Sequence, residues 1–260
     1  MSSSQLSTHP FKSVGDLLLT IDVSKPPGAR DSGVVLLHFH GGFLVLGEKI
    51  TFPPHWLINA CHARGWTYAT PSYRLLPEAT GLEILSDALD AVNWAGNNIC
   101  DRVIIAGSSA GGYLALAATA HPSLEDIQGA VQDIKNAMGD GQVLDGYAFP
   151  ADPSTDVRFR WIRAMHEAAL YPDVLTRRDG LAGEILANGV ETIPVEFRPL
   201  FPVSFGLRGD FPPTILLHGD EDVLVDFGQS ATSVLQDKGT GLMRKGSSIS
   251  ILKQPEDLAR

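Results

Sequence analysis

The stretch Val103 to Ala120, VIIAGSSAGGYLALAATA, decides the fold. Its opening run, VIIA, is short and apolar, as expected of a strand buried on both faces. From Tyr113 to Ala120 the chain is rich in Leu and Ala and reads as a helix. Between them lies Gly107-Ser108-Ser109-Ala110-Gly111-Gly112. A G-x-S-x-G pattern alone is a weak signal, because glycine and serine are common. Set between a strand and a helix, it has a mechanism. The glycines permit a tight turn that lifts the Ser109 hydroxyl clear of the sheet. The helix N-terminus then offers backbone N–H groups, that of Ala110 first, to a developing anion. Ser109 is therefore the candidate nucleophile. The competing interpretation is a glycine-rich turn with a bystander serine.

Upstream, Val34 to Phe39 (VVLLHF) is a second buried-strand run, and His40-Gly41-Gly42-Phe43 follows it. An acyl-transfer enzyme must stabilise the negative oxygen of a tetrahedral intermediate, and backbone N–H groups on a glycine turn suit that task. Gly41, Gly42 and Phe43 are the candidate donors of an oxyanion hole, with Ala110 as partner. His38 and His40 stand two apart on a strand, which raises a metal pair. No third ligand follows at suitable spacing, so no metal is expected, and His40 is read as bracing the loop. Downstream, Thr214 to His218 (TILLH) reads as a strand that opens into His218-Gly219-Asp220-Glu221-Asp222. Catalytic groups in α/β sheets gather at the carboxyl ends of strands. Asp222 is the candidate carboxylate to orient a histidine, with Asp220 and Asp226 as fallbacks. A solvated acidic loop is the competing interpretation; no glycine-framed calcium loop is present.

Elsewhere, Leu17 to Val23 reads as a strand ended by Pro26-Pro27-Gly28, and Trp66 to Thr70 as another. Leu82 to Asn97 has apolar residues at helical spacing. Val143 to Phe149 and Ser248 to Leu252 are further strand candidates, and helical stretches fall at 158–170 and 180–188. Short β-rich runs alternating with helices predict an α/β fold with a mostly parallel central sheet and helices on both faces. The core is assigned to 1–150 and 211–260, with 151–210 as an inserted cap or lid.

The 260 residues are 44% apolar, ample for a continuous core, and carry a formal charge of −10, which argues against nucleic acid or an anionic membrane as partner. Cys61 and Cys100 are far apart in sequence and are read as two free buried thiols, which suits a reducing compartment. No basic-then-apolar leader opens the chain, and no run approaches the roughly 20 apolar residues of a membrane span. A cytoplasmic protein is the expectation.

Taken together, these blocks resemble the hormone-sensitive-lipase-like esterase/lipase group of the α/β-hydrolases, often called fold-3. That family writes its oxyanion loop H-G-G-G-F/W-x-x-G; this chain has HGGFLVLG at 40–47, with Phe43 where the third glycine usually stands. The family's Y-R-L-A-P-E is matched by Tyr73-Arg74-Leu75-Leu76-Pro77-Glu78, its G-D-S-A-G-G by GSSAGG, and its H-G-x-x-D by residues 218–222. The likeness is strong over 34–116 and 212–230, weak across the lid and poor at the C-terminus. It implies the α/β-hydrolase fold and a serine carboxylesterase acting through Ser109 and Asp222 without a cofactor. The ligand it implies is a small-molecule ester or similar apolar compound. The family also places a histidine after its last strand. This chain has eight histidines and none beyond His218; Leu258 stands about where that histidine falls. Three readings follow. The first is an ester hydrolase whose sequence here is incomplete or altered, or in which another histidine serves; His166 is the candidate substitute, although a packing role accounts for it more simply. The second is a non-hydrolytic enzyme of elimination or cyclisation, and the third is a binding protein on the same scaffold.

Overall fold

A computed structural model of the chain describes residues 5–26, 28, 33–120 and 157–206, and three short strands at 217–218, 242–245 and 249–252. Alternation along β3 (Val35–Phe39) sorts its side chains onto two faces. Val35, Leu37 and Phe39 enter the main core, whereas Leu36 joins a smaller cluster with Cys61 and Tyr68. Every residue of β3 and of β4 (Thr67–Pro71) is buried, which is why β3 reads as a near-continuous apolar run rather than an alternating one. β3 pairs in parallel with β4 on one side and with β5 (Val103–Gly107) on the other.

The expected mostly parallel sheet is corrected at one edge. β1 (Gln5–Val14) and β2 (Leu17–Lys25) form a hairpin, β2 pairs antiparallel with β4, and the five strands run β1-β2-β4-β3-β5. β1 escapes sequence reading because QLSTHPFKSV is polar and contains Pro10. An edge strand tolerates both, and its pairing with β2 shifts register between Pro10 and Lys12.

Helices cover both faces. α1 (His55–Ala63) sets Leu57 and Ile58 against Leu36 and Tyr68, while α2 (Gly81–Asn98) and α3 (Ala110–Ala120) pack on the main core. α2 begins with a reciprocal capping box, the Thr80 hydroxyl accepting from Glu83 N–H while the Glu83 carboxylate accepts from Thr80 N–H. Its buried stripe includes Leu82, Leu85, Ala88 and Leu89, at the spacing the sequence predicts.

Residues 157–206 hold α4 (Val157–Glu167), α5 (Tyr171–Thr176), α6 (Leu181–Asn188), two 3-10 turns at Val190–Thr192 and Val195–Leu200, and α7 (Pro202–Phe205). The single helix read at 158–170 ends earlier, where Ala169 takes a left-handed conformation (φ 54°) and Pro172 opens α5. This segment reaches back to the central sheet's surroundings. A Cβ placed on Gly81 would come within 2.9 Å of both Leu175 and Leu200, and Tyr113 OH donates to Leu200 O at 2.8 Å.

Toward the C-terminus, β6 (Leu217–His218) and β7 (Leu242–Lys245) both pair antiparallel with β8 (Ile249–Leu252), in a three-stranded sheet of their own. The candidate strand Val143 to Phe149 and the loop carrying Asp220, Asp222 and Asp226 lie outside the described residues. Among the described residues no helix is long and apolar enough to cross a membrane. Both cysteines are free, Cys61 buried as expected and Cys100 only half-buried.

Candidate active site

β3 and β5 end side by side, with Phe39 opposite Gly107, and Ser108 N–H extends the pairing by one bond to Phe39 O at 3.1 Å. The chain then turns sharply. Ser109 sits at φ 53°, a left-handed conformation that costs a non-glycine residue of order 1 kcal/mol or more and is held only by its surroundings. Gly111 supplies the room: a Cβ there would lie 2.2 Å from Phe39 O. Bonds from Gly112 N–H and Tyr113 N–H to Ser109 O, at 2.8 and 3.2 Å, start α3 immediately. The strand, tight turn and helix expected from the sequence are all present, and Ser109 is exposed.

The glycine loop comes up against this turn. A Cβ on Gly41 would sit 3.2 Å from Ser109 Cβ and 2.9 Å from Ser108 O. Gly42 (φ 124°) admits no side chain, since a Cβ would fall 1.9 Å from Leu46 O. Its carbonyl instead accepts from Val45 N–H and Leu46 N–H, at 2.9 and 3.0 Å. Phe43 and Leu44 both adopt left-handed backbone, φ 59° and 61°. A glycine would hold the Phe43 conformation without strain, which gives a physical reason for the family's third glycine. Among the described residues, the N–H groups of Gly41, Gly42, Phe43 and Ala110 have no backbone acceptor. The structure thus brings Gly41 beside Ser109, while Gly42 shapes the loop against Leu46. Asp222 lies outside the described residues.

Two buried histidines support the turn from below. His40 stacks on Tyr73 with ring centroids 4.2 Å apart, and its Nδ1–H donates to Gly41 O at 2.7 Å. Tyr73 OH donates to His40 O at 2.7 Å, so one tyrosine fixes both ends of the first loop residue. His38 Nε2 lies 2.8 Å from Ser108 Oγ, and its Nδ1 lies 3.1 Å from Tyr68 OH. Burial pulls both histidines down to about 4, with the neighbouring His40 adding to the effect on His38, so both are neutral at pH 7. Among the described residues no group of three or more His, Cys, Asp or Glu side chains could hold a metal ion.

The Tyr73 to Glu78 block ties this loop to the rest of the molecule. Arg74 is buried and grips Asp87 through Nε (2.8 Å) and Nη2 (2.9 Å), while Lys12 reaches the same carboxylate at 2.7 Å. Buried Arg158, from α4, donates to Val45 O (2.9 Å) and Leu76 O (3.0 Å) and pairs with Glu78. Arg177 adds a bond to Glu78 O at 3.0 Å. His166 packs edge-on against Phe43 and Tyr171, centroids 5.3 and 5.2 Å away, and its Nδ1–H donates to Ile162 O at 2.8 Å. Sequence reading missed the parts played by Tyr73, Tyr68 and Arg158. The Tyr-Arg-Leu-Leu-Pro-Glu block was a visible signal for the first. Nothing marks Arg158 among the several arginines of its segment.

The family profile of the alpha/beta hydrolase fold, in its third branch, matches residues 36–243. The chain belongs to this family. A probable carboxylesterase from a Phoma species is 30% identical over 133 residues, which cover 43% of this chain and 42% of the relative. A carboxylesterase of Mycobacterium tuberculosis is 33% identical over 104 residues, 37% of this chain and 32% of the relative. The chain therefore matches less than half the length of these curated relatives. Among solved structures, an arylesterase is 27% identical with a TM-score of 0.37, covering 44% of this chain and 39% of that one. A thermostable carboxylesterase from a metagenomic library is 26% identical with a TM-score of 0.38, covering 45% and 40%. Superpositions this loose assign no role to any residue.

Proposed function

We propose that this α/β-hydrolase is a carboxylic ester hydrolase of serine-esterase type, with Ser109 as the acyl-accepting residue. The observation that carries the reading is the approach of the Gly41-Gly42 loop to Ser109, on a turn that holds Ser109 at φ 53°. Backbone N–H groups at 41, 42, 43 and 110 without backbone acceptors supply the donors that a tetrahedral oxyanion needs. The carboxylesterase names of the partial relatives agree with it. Asp222 is assigned to orient the histidine that serves Ser109, and residues 151–210 are assigned as a lid. The second assignment is supported by α4, whose Arg158 bonds Val45 O and whose His166 packs on Phe43, both in the loop beside Ser109. The substrate class is a small, modestly apolar ester.

Ser109 Oγ has no side-chain partner among the described residues, and a serine hydroxyl needs a base to act as a nucleophile. The test compares p-nitrophenyl butyrate hydrolysis by three proteins. They are the 260-residue chain, the same chain extended with a family-like C-terminal loop and helix carrying a histidine, and the extended chain with Ser109→Ala. The expected outcome is a gain of several powers of ten on extension, since a positioned base contributes about 10²–10⁴ and also enables acylation. That gain is lost again in Ser109→Ala. Equal turnover with and without the Ser109 hydroxyl contradicts the proposal.

A further inference from the structure

We propose that Ser108 and His38 form a second nucleophile–base pair, separate from Ser109, that reacts with small acyl or phosphoryl donors bearing good leaving groups. His38 lies opposite Ala106 in the β3–β5 register, and two residues on, by strand alternation, Ser108 projects on the same face. The hydrogen bond is already made, Ser108 Oγ to His38 Nε2 at 2.8 Å, within the range a general base requires. A third group orients the base, because Tyr68 OH lies 3.1 Å from Nδ1 and the two rings stack at 6.0 Å. Nucleophile, base and orienter stand in the order that activates a serine hydroxyl.

Exposure divides this triad usefully. His38 and Tyr68 are buried, whereas Ser108 is exposed, and Ile104 on the same strand face is 39% exposed. A small reagent therefore reaches the hydroxyl without reaching the base. Burial and the neighbouring His40 hold His38 neutral at pH 7, and burial keeps the Tyr68 hydroxyl protonated. In the tautomer with hydrogen on Nδ1, that N–H donates to Tyr68 O and Nε2 accepts from Ser108. The family's G-D-S-A-G-G motif has Asp where this chain has Ser108.

With diisopropyl fluorophosphate the step balances. Ser108 Oγ bonds to phosphorus as its proton passes to His38 Nε2, the P–F bond breaks and fluoride leaves. His38 then returns the proton to water. Ser109 faces the glycine loop and has no such partner among the described residues, so the two adjacent serines are distinguishable by where the label lands.

The experiment treats the protein with diisopropyl fluorophosphate at pH 7.5 and localises the label by fragment mass spectrometry, in wild type, Ser109→Ala, His38→Gln and Tyr68→Phe. The expected result is label on Ser108 that persists in Ser109→Ala and slows about a hundredfold in His38→Gln. Tyr68→Phe keeps the ring and lowers the ratio of label on Ser108 to label on Ser109, with its melting transition retained. If His38→Gln fails to fold, the Tyr68→Phe ratio decides. Label on Ser109 alone, label on neither serine, or Ser108 labelling unchanged by both His38→Gln and Tyr68→Phe overturns the proposal.

Discussion

Ser108 and Ser109 are neighbours on one turn, yet their surroundings divide what a serine hydrolase combines. Ser109 has the glycine loop beside it and no side-chain partner among the described residues. Ser108 has a histidine at 2.8 Å from its hydroxyl, and what Gly41 approaches there is its backbone carbonyl. The difference follows from strand geometry. Successive residues leaving β5 project to opposite sides, so one meets the loop after β3 and the other meets the side chain of His38 on β3 itself. Donors for an oxyanion come from backbone conformation, which glycine spacing dictates. A base comes from a single side chain placed by register, and register is a tertiary fact.

Both serines rest on the same buried support, and removing that support should disturb them together. Asp87 is fully buried and holds Arg74, next to the Tyr73 that fixes His40. Asp87→Ala leaves a buried guanidinium short of its carboxylate and is expected to cost about 3–5 kcal/mol in urea denaturation. A change below 1 kcal/mol would show that the Tyr73-Arg74 block is not what positions the loop.

A second substitution acts on the Ser109 side only. In the histidine-extended chain, Gly42→Ala places a Cβ where Leu46 O now sits and forces the loop to move. The expected loss in kcat is about 10²–10³, the effect of losing one oxyanion donor. Diisopropyl fluorophosphate labelling of Ser108 should be unchanged.

Acid should act on the histidines beneath the turn. His38 and His40 each titrate near 4 when folded and near 6.5 when unfolded. Between those values the unfolded chain binds more protons, so stability is full above about pH 6.5 and falls as pH drops toward 4. At pH 4.5 the loss is about 2–3 kcal/mol per histidine, read as a falling urea midpoint. The slope should be shallower in His38→Gln. A pH-independent midpoint from 7 to 4.5 would mean that neither ring is held neutral.

The smallest effect is expected far from both serines. Arg178 pairs with Glu184 at 2.7 Å, but both side chains are about 40% exposed or more. Arg178→Ala should change stability by no more than about 0.5–1 kcal/mol, and labelling of neither serine should shift.

How much of this was legible in the sequence depends on whether the signal was local. The VIIA strand, the GSSAGG turn and the Ala-rich helix are neighbours in the chain, and their joint pattern predicts the turn that holds Ser109. The glycine pair after β3 was equally visible, because only a missing side chain permits the approach seen at Gly41 and Gly42. β1 was missed since an edge strand needs no apolar pattern. Arg158 was missed because its partners, Val45 and Leu76, stand 113 and 82 residues away. The pair of Ser108 with His38 spans 70 residues, and only the β3–β5 register brings it together.

The most direct test of the Ser109 site is a crystal structure of the protein with phenylboronic acid, which becomes tetrahedral on binding a serine and needs oxyanion donors more than a base. The account predicts boron bonded to Ser109 Oγ, with one boronate oxygen about 3 Å from N–H groups of the Gly41–Phe43 loop and Ala110. Absence of boronate from Ser109, or an adduct there whose oxygens all turn away from that loop, would contradict it.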